Sequence, residues 1–214
     1  MSNLRDFSDQ YLSLLTGEFA GINLTRIDSP EEFYYKQILD SVKPMEESER
    51  FVSDIKKTKV VIDIGFGGGF PILPLAKENP EVKFIGIDAR GKKANVVNQI
   101  AERLGIKNAK CFHGRIEEVD FDVDAVVTFK AVGDVQDFLP LISTSKTLTV
   151  YFYKGPNFYE LEDIEKILKQ GWTVVEEVGF DVPMTDGRLL IGFKNKNVLR
   201  GTKIPKKIKI SELL

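Results

Sequence analysis

The fold of this chain is decided by the stretch Val60-Val61-Ile62-Asp63-Ile64-Gly65-Phe66-Gly67-Gly68-Gly69-Phe70-Pro71. The run of Val and Ile is typical of a short strand buried on both faces, and Asp63 is the single charge inside it. The glycines that follow allow positive φ angles and let backbone N–H groups approach a ligand closely. Residues 70 to about 78 predict a helix whose N-terminus points at the same turn. The strand, the glycine turn and the helix together predict a binding site for a nucleotide or nucleoside.

Length and composition limit the remaining possibilities. The chain has 214 residues, enough for one α/β domain with an appendage that buries roughly 70% of its unfolded surface. Its 30 basic and 32 acidic residues nearly balance, so any nucleic-acid contact must come from local charge asymmetry. Cys111 is the one cysteine, which excludes an intrachain disulfide and a cysteine-built metal cluster and fits a reducing cytoplasm. We expect no signal peptide, no membrane span, no metal and a cytoplasmic monomer.

The first 57 residues predict a helical cap. Apolar residues recur at helical spacing from Leu4 to Leu15, which indicates an amphipathic helix that ends near Gly17. A loop is expected at residues 21–26. Ser29 and Pro30 then begin a second helix that stops before Pro44, and a short helix is expected at residues 46–55.

Residues 58–194 predict a mostly parallel α/β sheet. After the first strand, strands are expected at residues 82–88, 109–112, 123–129 and 147–153, with helices at 91–104, 135–142 and 157–169. Two final strands, at residues 172–178 and 188–193, have no helix between them and should form an antiparallel hairpin. A seven-stranded Rossmann-like sheet closed by such a hairpin is the layout of class I S-adenosylmethionine-dependent methyltransferases.

The glycine turn favours S-adenosylmethionine over a dinucleotide. Gly65, Gly67 and Gly69 follow G-x-G-x-G, but Phe70 stands where the dinucleotide fingerprint requires its third glycine. Asp63 would repel a pyrophosphate and suits the ammonium and sulfonium groups of S-adenosylmethionine. Asp88, at the end of the second strand, is placed to accept hydrogen bonds from both ribose hydroxyls, in either cofactor. An NAD-dependent enzyme and a domain that keeps the turn for packing alone remain alternatives.

Several short motifs accompany the glycine turn and its following proline. These are Asn23-Leu24-Thr25, Leu39-Asp40-Ser41, Leu75-Ala76, Pro80, Gly114-Arg115-Ile116-Glu117-Glu118, Lys154-Gly155 and Gly187-Arg188. Through them the chain, over about residues 21–193, resembles the RsmG or GidB family, the guanine-N7 methyltransferases of the small ribosomal subunit. The resemblance implies methylation of a guanine in 16S ribosomal RNA within the 30S subunit.

The resemblance implies which residues bind the cofactor. It assigns Gly65 and Phe70 to the turn, Ile116 and Glu117 to the side of the adenine, and Lys130 to the basic position after the fourth strand. The chain departs from the family in having Lys130 and Lys93 where arginine is usual. Gln37 stands in place of histidine and Ile72 in place of glycine. Lysine at position 130 replaces a planar bidentate fork by a point charge.

The expected chemistry needs no catalytic side chain that we can name. Guanine N7 has a free lone pair at neutral pH, so no base must remove a proton before N7 attacks the methyl group in line. Holding acceptor, methyl and sulfur in line can supply roughly 7–11 kcal/mol. We therefore predict no acid–base pair, and His113 is not assigned a catalytic role.

Four residues are expected to bind the RNA substrate. Lys130 and Lys154 follow the fourth and fifth strands, at the edge where open α/β sheets bind ligands, although ordinary solvated lysines are the alternative. Asn23 and Arg188 belong to the motifs that match the family. Phe129 and Phe138 could stack on a base, but core packing is the simpler role.

The C-terminal segment, residues 195–214, is expected to be a basic tail. Seven basic and no acidic residues occur between positions 194 and 209: Lys194, Lys196, Arg200, Lys203, Lys206, Lys207 and Lys209. If all seven basic side chains contacted RNA phosphates, the affinity for RNA would fall at most roughly 10³- to 10⁴-fold between 50 and 200 mM salt. The hypothesis is that this tail grips ribosomal RNA, and the alternative is a disordered solubilising tail.

Overall fold

A computed structural model describes residues 4–196 and 205–214 of the chain. The α-helices are α1 Leu4–Thr16, α2 Pro30–Phe33, α3 Asp40–Val42, α4 Pro44–Glu47, α5 Glu49–Thr58, α6 Ile72–Glu78, α7 Gly91–Arg103, α8 Val135–Phe138, α9 Phe158–Leu161 and α10 Ile164–Lys169. The strands are β1 Val60–Ile64, β2 Lys83–Asp88, β3 Ala109–His113, β4 Val119–Asp120, β5 Ala125–Lys130, β6 Leu148–Lys154, β7 Trp172–Phe180, β8 Arg188–Asn195 and β9 Ile208–Lys209.

Seven strands form one sheet in the order β3-β2-β1-β5-β6-β8-β7. The first five of these run parallel, while β8 pairs antiparallel with both β6 and β7. This arrangement confirms the predicted class I methyltransferase fold and its C-terminal hairpin. The strand order reverses between β1 and β5, so the carboxyl end of β1 lies at the place where α/β sheets bind ligands.

Each face of the sheet is covered by its own apolar cluster. The first cluster joins β1 and β2 residues to α1, α6, α7 and the cap helices, and includes Tyr11, Phe33 and Phe70. The second joins the other face to α8, α10 and Trp172, and includes Ile116 and Ile210. Strand β1 is therefore buried on both faces as predicted, since Val61, Ile62 and Asp63 are all 0% exposed.

Several element boundaries differ from the sequence-based expectation. The second helix is not regular, because a π-helical stretch, Tyr34–Leu39, joins α2 to α3. A helical turn begins at Pro44, and α5 begins at Glu49, where the Ser48 side chain accepts a hydrogen bond from the Phe51 amide. The helix expected at residues 157–169 is two short helices. The helix expected at 135–142 is one α-helical turn, α8, followed by a 3₁₀ turn, Leu139–Leu141.

The C-terminal segment departs most from expectation. Arg200 and Lys203 lie outside the described residues, but residues 205–214 pack against the domain and include strand β9 and a 3₁₀ turn, Ile210–Glu212. Lys207 and Lys209 pair with Glu118 and Glu212. A fully disordered tail is therefore wrong for residues 205–214, while the hypothesis that the tail grips ribosomal RNA stays a prediction.

Within the described residues, every helix is too short or too polar to cross a lipid bilayer.

Candidate functional site

Two adjoining cavities open at the carboxyl ends of β1, β2 and β5. The larger, of about 610 Å³, lies over the glycine turn and is bounded by Asn23 and Gln37 of the cap. The smaller, of about 360 Å³, lies over the loop that follows β3. Gly65, Asp88 and Val132 line both cavities, so the two form one cleft with Asp88 at the junction. The cleft thus forms at the place that the glycine motif predicts.

The glycine turn adopts backbone angles that explain its composition. Gly65, Gly67 and Gly69 have φ angles of +72°, +57° and +95°. A Cβ atom on Gly65 would lie 2.8 Å from Val132, and one on Gly69 would lie 2.2 Å from the hydroxyl oxygen of Tyr11. Gly65, Gly67 and Phe70 line the larger cavity, whereas Gly69 lies behind it and lets α1 come close.

Tyr11 holds the glycine turn from the side of the cap, and sequence reasoning did not identify it. Its hydroxyl donates a hydrogen bond to the Gly68 carbonyl at 2.6 Å, and its ring stacks on Phe70 with centroids 5.0 Å apart. Burial raises the pKa of Tyr11 well above its usual value, so the hydroxyl keeps its proton. Only the helical periodicity of α1 was visible in the sequence, and that periodicity indicates a core residue and no more.

Asp88 is oriented by two backbone amides. Gly67 N–H donates to its Oδ2 at 3.1 Å and Arg90 N–H donates to its Oδ1 at 2.8 Å. A carboxylate can accept about four hydrogen bonds, so each oxygen keeps capacity for a ligand hydroxyl. Asp88 is 8% exposed and lies at the junction of the two cavities. This geometry suits the predicted contact with a ribose.

The smaller cavity brings together the residues expected beside an adenine. Ile116 and Glu117 line it, on a 3₁₀ turn Ile116–Glu118 that follows β3. Phe138 and Leu141, from the segment after β5, also line it. Core packing was the role expected for Phe138, and its ring does pack on Phe129 at 5.4 Å, but its position on the cavity wall also allows contact with a flat ring.

Asp63 does not line the cleft. It is fully buried beneath the turn, where the Thr128 hydroxyl donates to its Oδ1 at 2.8 Å. Burial raises the pKa of the Asp63 carboxyl well above its usual range, although Thr128, the Ile72 amide and the charge of Lys130 oppose this effect. The structure therefore gives Asp63 a place under the turn and does not bring it to the surface that a cofactor would touch.

Burial of Asp63 makes stability depend on pH. Because the pKa of Asp63 is higher in the folded than in the unfolded chain, the folded state retains a proton that the unfolded chain loses above about pH 4. We expect the free energy of unfolding of the ligand-free protein to fall, relative to Asp63→Asn, by about 1.4 kcal/mol per pH unit from that point up to the raised pKa. Urea denaturation of both proteins between pH 5 and 8 measures this difference. Parallel pH profiles would contradict it.

Lys130 reaches the larger cavity as part of a buried charge network. Its ammonium lies 2.8 Å from Asp40 Oδ2, and Arg188 Nε donates to Asp40 Oδ1 at 2.8 Å. Asp40 is 2% exposed, so two cations share one buried carboxylate. Lys130 lines the cavity, whereas Arg188 is not among its lining residues. The family resemblance pointed to the motif around Asp40, but the motif did not reveal that Asp40 links the two basic residues.

Lys154 lies apart from the cleft. It forms an ion pair with Glu162 at 2.6 Å and donates to the Gly133 carbonyl at 2.7 Å. Glu162 in turn accepts hydrogen bonds from the amides of Val135 and Gln136 at the start of α8. Lys154 lines a separate cavity of about 260 Å³. These contacts support a structural role for Lys154 and differ from the solvated lysine that was the alternative, while its contact with RNA stays a prediction.

Three further cations surround the larger cavity, and we call Arg26, Arg90 and Lys93 the basic rim. All three line the cavity, and Arg26 and Arg90 are exposed. Within the described part of the chain their side chains form no ion pair, unlike that of Lys130. In the sequence, Lys93 is marked only by its departure from the family. Arg26 follows the motif Asn23-Leu24-Thr25 and Arg90 follows β2, but neither arginine carries a signal of its own.

The groups that line the cleft suit S-adenosylmethionine. Gly65 and Gly67 present backbone without side chains, Asp88 offers a carboxylate at the junction of the two cavities, and the smaller cavity has an apolar wall. Among the residues that the structure describes, no group of three His, Cys, Asp or Glu side chains is arranged to hold a metal ion.

Comparison with known proteins gives consistent matches. A family model described as rRNA small subunit methyltransferase G matches residues 5–177. The ribosomal RNA small subunit methyltransferase G of Clostridium perfringens strain 13 is 32% identical over 191 residues, covering 80% of this chain and 76% of that protein. Its namesake from Lactococcus lactis subsp. lactis strain IL1403 is 30% identical over 191 residues, covering 84% of this chain and 78% of that protein.

A solved structure agrees in fold. The crystal structure of a SAM-dependent methyltransferase from Aquifex aeolicus superimposes with a TM-score of 0.54 over 80% of this chain and 96% of that chain, at 17% sequence identity.

Proposed function

This chain belongs to the rRNA small subunit methyltransferase G family, and on that premise we propose that it transfers a methyl group from S-adenosylmethionine to N7 of a guanine in 16S ribosomal RNA of the 30S subunit. The observation that carries the proposal is the double cleft, in which Asp88 joins a cavity with an apolar wall to a larger one with a basic rim. The first suits a nucleoside, and the second suits a polyanion.

The cofactor site is proposed to use the residues that line the two cavities. Asp88 would accept hydrogen bonds from the ribose, Ile116 and Glu117 would lie against the adenine, and Gly65 and Phe70 would bound the methionine side. When bound, S-adenosylmethionine supplies a methyl group on a positively charged sulfur. Lys130 would lie beside this end, where Asp40 offsets only part of its charge because Arg188 shares the same carboxylate. This partial pairing lessens the repulsion between Lys130 and the sulfonium.

A reaction without a general base is consistent with the groups around the cleft. No His, Cys or Tyr is found among the described residues that line the two cavities. Guanine N7 requires no deprotonation, so it can accept the methyl group by in-line displacement once it is held in place. The protein would then contribute chiefly alignment, which can supply roughly 7–11 kcal/mol.

The basic rim supports an RNA substrate. The whole chain has a formal net charge of −2, so attraction of a polyanion must come from local charge. Arg26, Arg90 and Lys93 supply three positive charges at the mouth of the larger cavity. Asn23, at the same mouth, has a left-handed backbone with φ of +51° and offers an amide to the RNA. Arg188 would act through Asp40, as a positioning residue for Lys130.

Replacing the basic rim should weaken RNA binding in a salt-dependent way. Each phosphate contact in single-stranded RNA contributes about 0.7 to the slope of log K against log salt concentration. We expect the triple variant Arg26→Gln, Arg90→Gln, Lys93→Gln to reduce that slope by about 2. Binding of a 16S RNA fragment, measured between 50 and 200 mM salt, tests this.

The matched control removes three charges from the opposite edge of the sheet. Lys56, Lys57 and Lys107 are exposed and lie near the amino ends of β1 and β3. The triple glutamine variant at these positions should keep the wild-type slope. Equal slopes for the two triple variants would show that net charge, and not the rim, governs binding.

The decisive test of the function is methyl transfer. Purified protein, labelled S-adenosylmethionine and 30S subunits from a strain that lacks this protein should yield labelled 16S RNA, with chemical cleavage at one N7-methylated guanine. Labelled RNA without such cleavage would support methyl transfer to RNA but overturn the assignment of guanine N7 as the methylated atom.

The same test addresses the alternatives. S-adenosylhomocysteine binding without methyl transfer to 30S subunits or to naked 16S RNA would favour a non-catalytic RNA-binding module on this fold. The family match argues against an NAD-dependent oxidoreductase, and calorimetry with NADH should detect no binding.

A further inference from the structure

The C-terminal residues 205–214 pack on the outer side of the loop that forms the wall of the smaller cavity. Strand β9 pairs in parallel with β4, which directly follows the Ile116–Glu118 turn. The Lys207 amide donates to the Glu118 carbonyl at 2.8 Å, and the Lys207 ammonium pairs with the Glu118 carboxylate at 2.8 Å. These residues lie beyond the family match, which ends at residue 177. We call residues 205–214 the C-terminal brace.

Two contacts of the brace reach the cavity wall itself. The Lys206 ammonium donates to the carbonyl oxygen of Glu117 at 2.7 Å, and Glu117 lines the cavity. Ile208 packs beside Gly114, another lining residue, where a Cβ atom would lie 2.3 Å from Ile208 Cδ1. The brace therefore touches the wall at both ends of the loop.

The brace is anchored independently of these contacts. Ile210 is 0% exposed and belongs to the same apolar cluster as Ile116 and Val119. The Ser211 amide donates to Asp122 at 2.9 Å, beyond β4. Strand β4 has only β9 as a partner in its two-stranded sheet within the described residues. Without the brace, the wall of the cavity would be a loop with one face unsupported.

We propose that the C-terminal brace holds the Ile116–Glu118 turn in place and thereby sets the affinity for the adenosine half of the cofactor, with Lys206 as a positioning residue. The proposal rests on the cofactor site described above but not on the identity of the methylated base. It assigns to Lys206 and Lys207 an intramolecular task in place of the phosphate contacts that their sequence suggests. Burial lowers the pKa of Lys206, consistent with an ammonium taken out of solvent.

The test compares two lysines of the brace. Lys206→Met removes the hydrogen bond to Glu117. Lys209→Met removes the same charge, but the Lys209 ammonium lies 3.8 Å from Glu212 inside the brace and, among the described residues, forms no hydrogen bond with the cavity wall. We expect Lys206→Met to raise the Kd of S-adenosylhomocysteine and of 5′-methylthioadenosine about tenfold, a change of about 1.4 kcal/mol. Lys209→Met should change neither Kd by more than about twofold, on the same scale.

Calorimetry at a temperature where every variant is folded separates an effect of Lys206 on cofactor affinity from an effect on the stability of the protein. A residue that only stabilised the fold would shift Tm and leave the Kd of the folded protein unchanged. In methyl transfer, Lys206→Met should raise KM for S-adenosylmethionine and leave kcat near the wild-type value. The salt dependence of RNA binding should not change.

The outcomes are distinct. Unchanged Kd values for Lys206→Met overturn the brace proposal. A flattened salt dependence with unchanged Kd would show that the segment grips RNA. Deletion of residues 205–214 is a second variant, expected to weaken S-adenosylhomocysteine binding more than Lys206→Met does. Asp88→Ala is the reference variant for the cofactor site. If Asp88→Ala leaves the Kd of S-adenosylhomocysteine unchanged, the proposed cofactor site is wrong. If Asp88→Ala raises that Kd but Lys206→Met does not, the cofactor site stands and only the brace proposal is wrong.

Discussion

Replacement of Gly69 by alanine is expected to lower the free energy of unfolding by about 3 kcal/mol. Overpacking costs ~1–3 kcal/mol, and a left-handed backbone at a residue with a Cβ atom costs ~1–2 kcal/mol. The added methyl group would lie 2.2 Å from the hydroxyl oxygen of Tyr11, whose ring is fully buried and stacked on Phe70. The backbone φ of +95° adds strain for any residue with a Cβ atom. Urea denaturation measures the loss, and calorimetry with S-adenosylhomocysteine measures the accompanying loss of affinity.

Two variants locate the cause. Gly67→Ala is the control in the same turn, because its φ is +57° and the nearest atom to the new Cβ lies at 3.8 Å, so it should cost only about 1 kcal/mol. In the Tyr11→Phe background, which lacks the clashing oxygen, Gly69→Ala should cost at least about 1 kcal/mol less than in the wild type. Additive losses would contradict the assigned contact between Tyr11 and Gly69.

Asp88→Ala is expected to weaken binding of S-adenosylhomocysteine about 10²- to 10⁴-fold. Each hydrogen bond to a charged group contributes roughly 1.5–3 kcal/mol, and the two ribose hydroxyls would lose their acceptor. The amides of Gly67 and Arg90 would also lose theirs, so the turn would lose part of its support. Isothermal titration calorimetry gives the Kd, and circular dichroism verifies that the variant is folded.

The controls for Asp88 vary one property at a time. Asp88→Asn keeps one acceptor oxygen and should lose only about tenfold in affinity. Asp124 also accepts a backbone N–H, from Thr147 at 2.8 Å, but lies at the amino end of β5, so Asp124→Ala should bind normally. A folded Asp88→Ala protein that binds within threefold of the wild type would refute the role of Asp88.

Much of the fold could be predicted because its signals are local. The Val and Ile run of β1, the glycines after it and the alternation of strands and helices each depend on neighbouring residues, and all three match the structure. Element ends were less accurate. The π-helical stretch Tyr34–Leu39 and the division of the helix at residues 157–169 have no signal in hydrophobic periodicity.

The candidate site was predictable only in part, for the same reason. Asp88 and the glycines lie at the ends of elements, where sequence position and function coincide. Tyr11 and Asp40 reach the site from elements far away in sequence, and although Asp40 lies in a motif that matches the family, nothing near either residue indicates which partner it contacts. Tyr11 is 57 residues from the carbonyl it contacts, and Asp40 is 148 residues from Arg188.

By itself, the sequence determined the class of fold, the place of the cleft and its glycine cradle, because backbone conformation and strand burial follow from residue type and spacing. The tertiary structure alone decided which charges are free. Lys154 and Lys130 are paired with Glu162 and Asp40. The C-terminal lysines Lys206 and Lys207 contact Glu117 and Glu118, whereas the side chains of the basic rim form no ion pair among the described residues. The sequence does not distinguish a paired lysine from a free one, because the partners of a lysine come within hydrogen-bonding distance only when the chain folds.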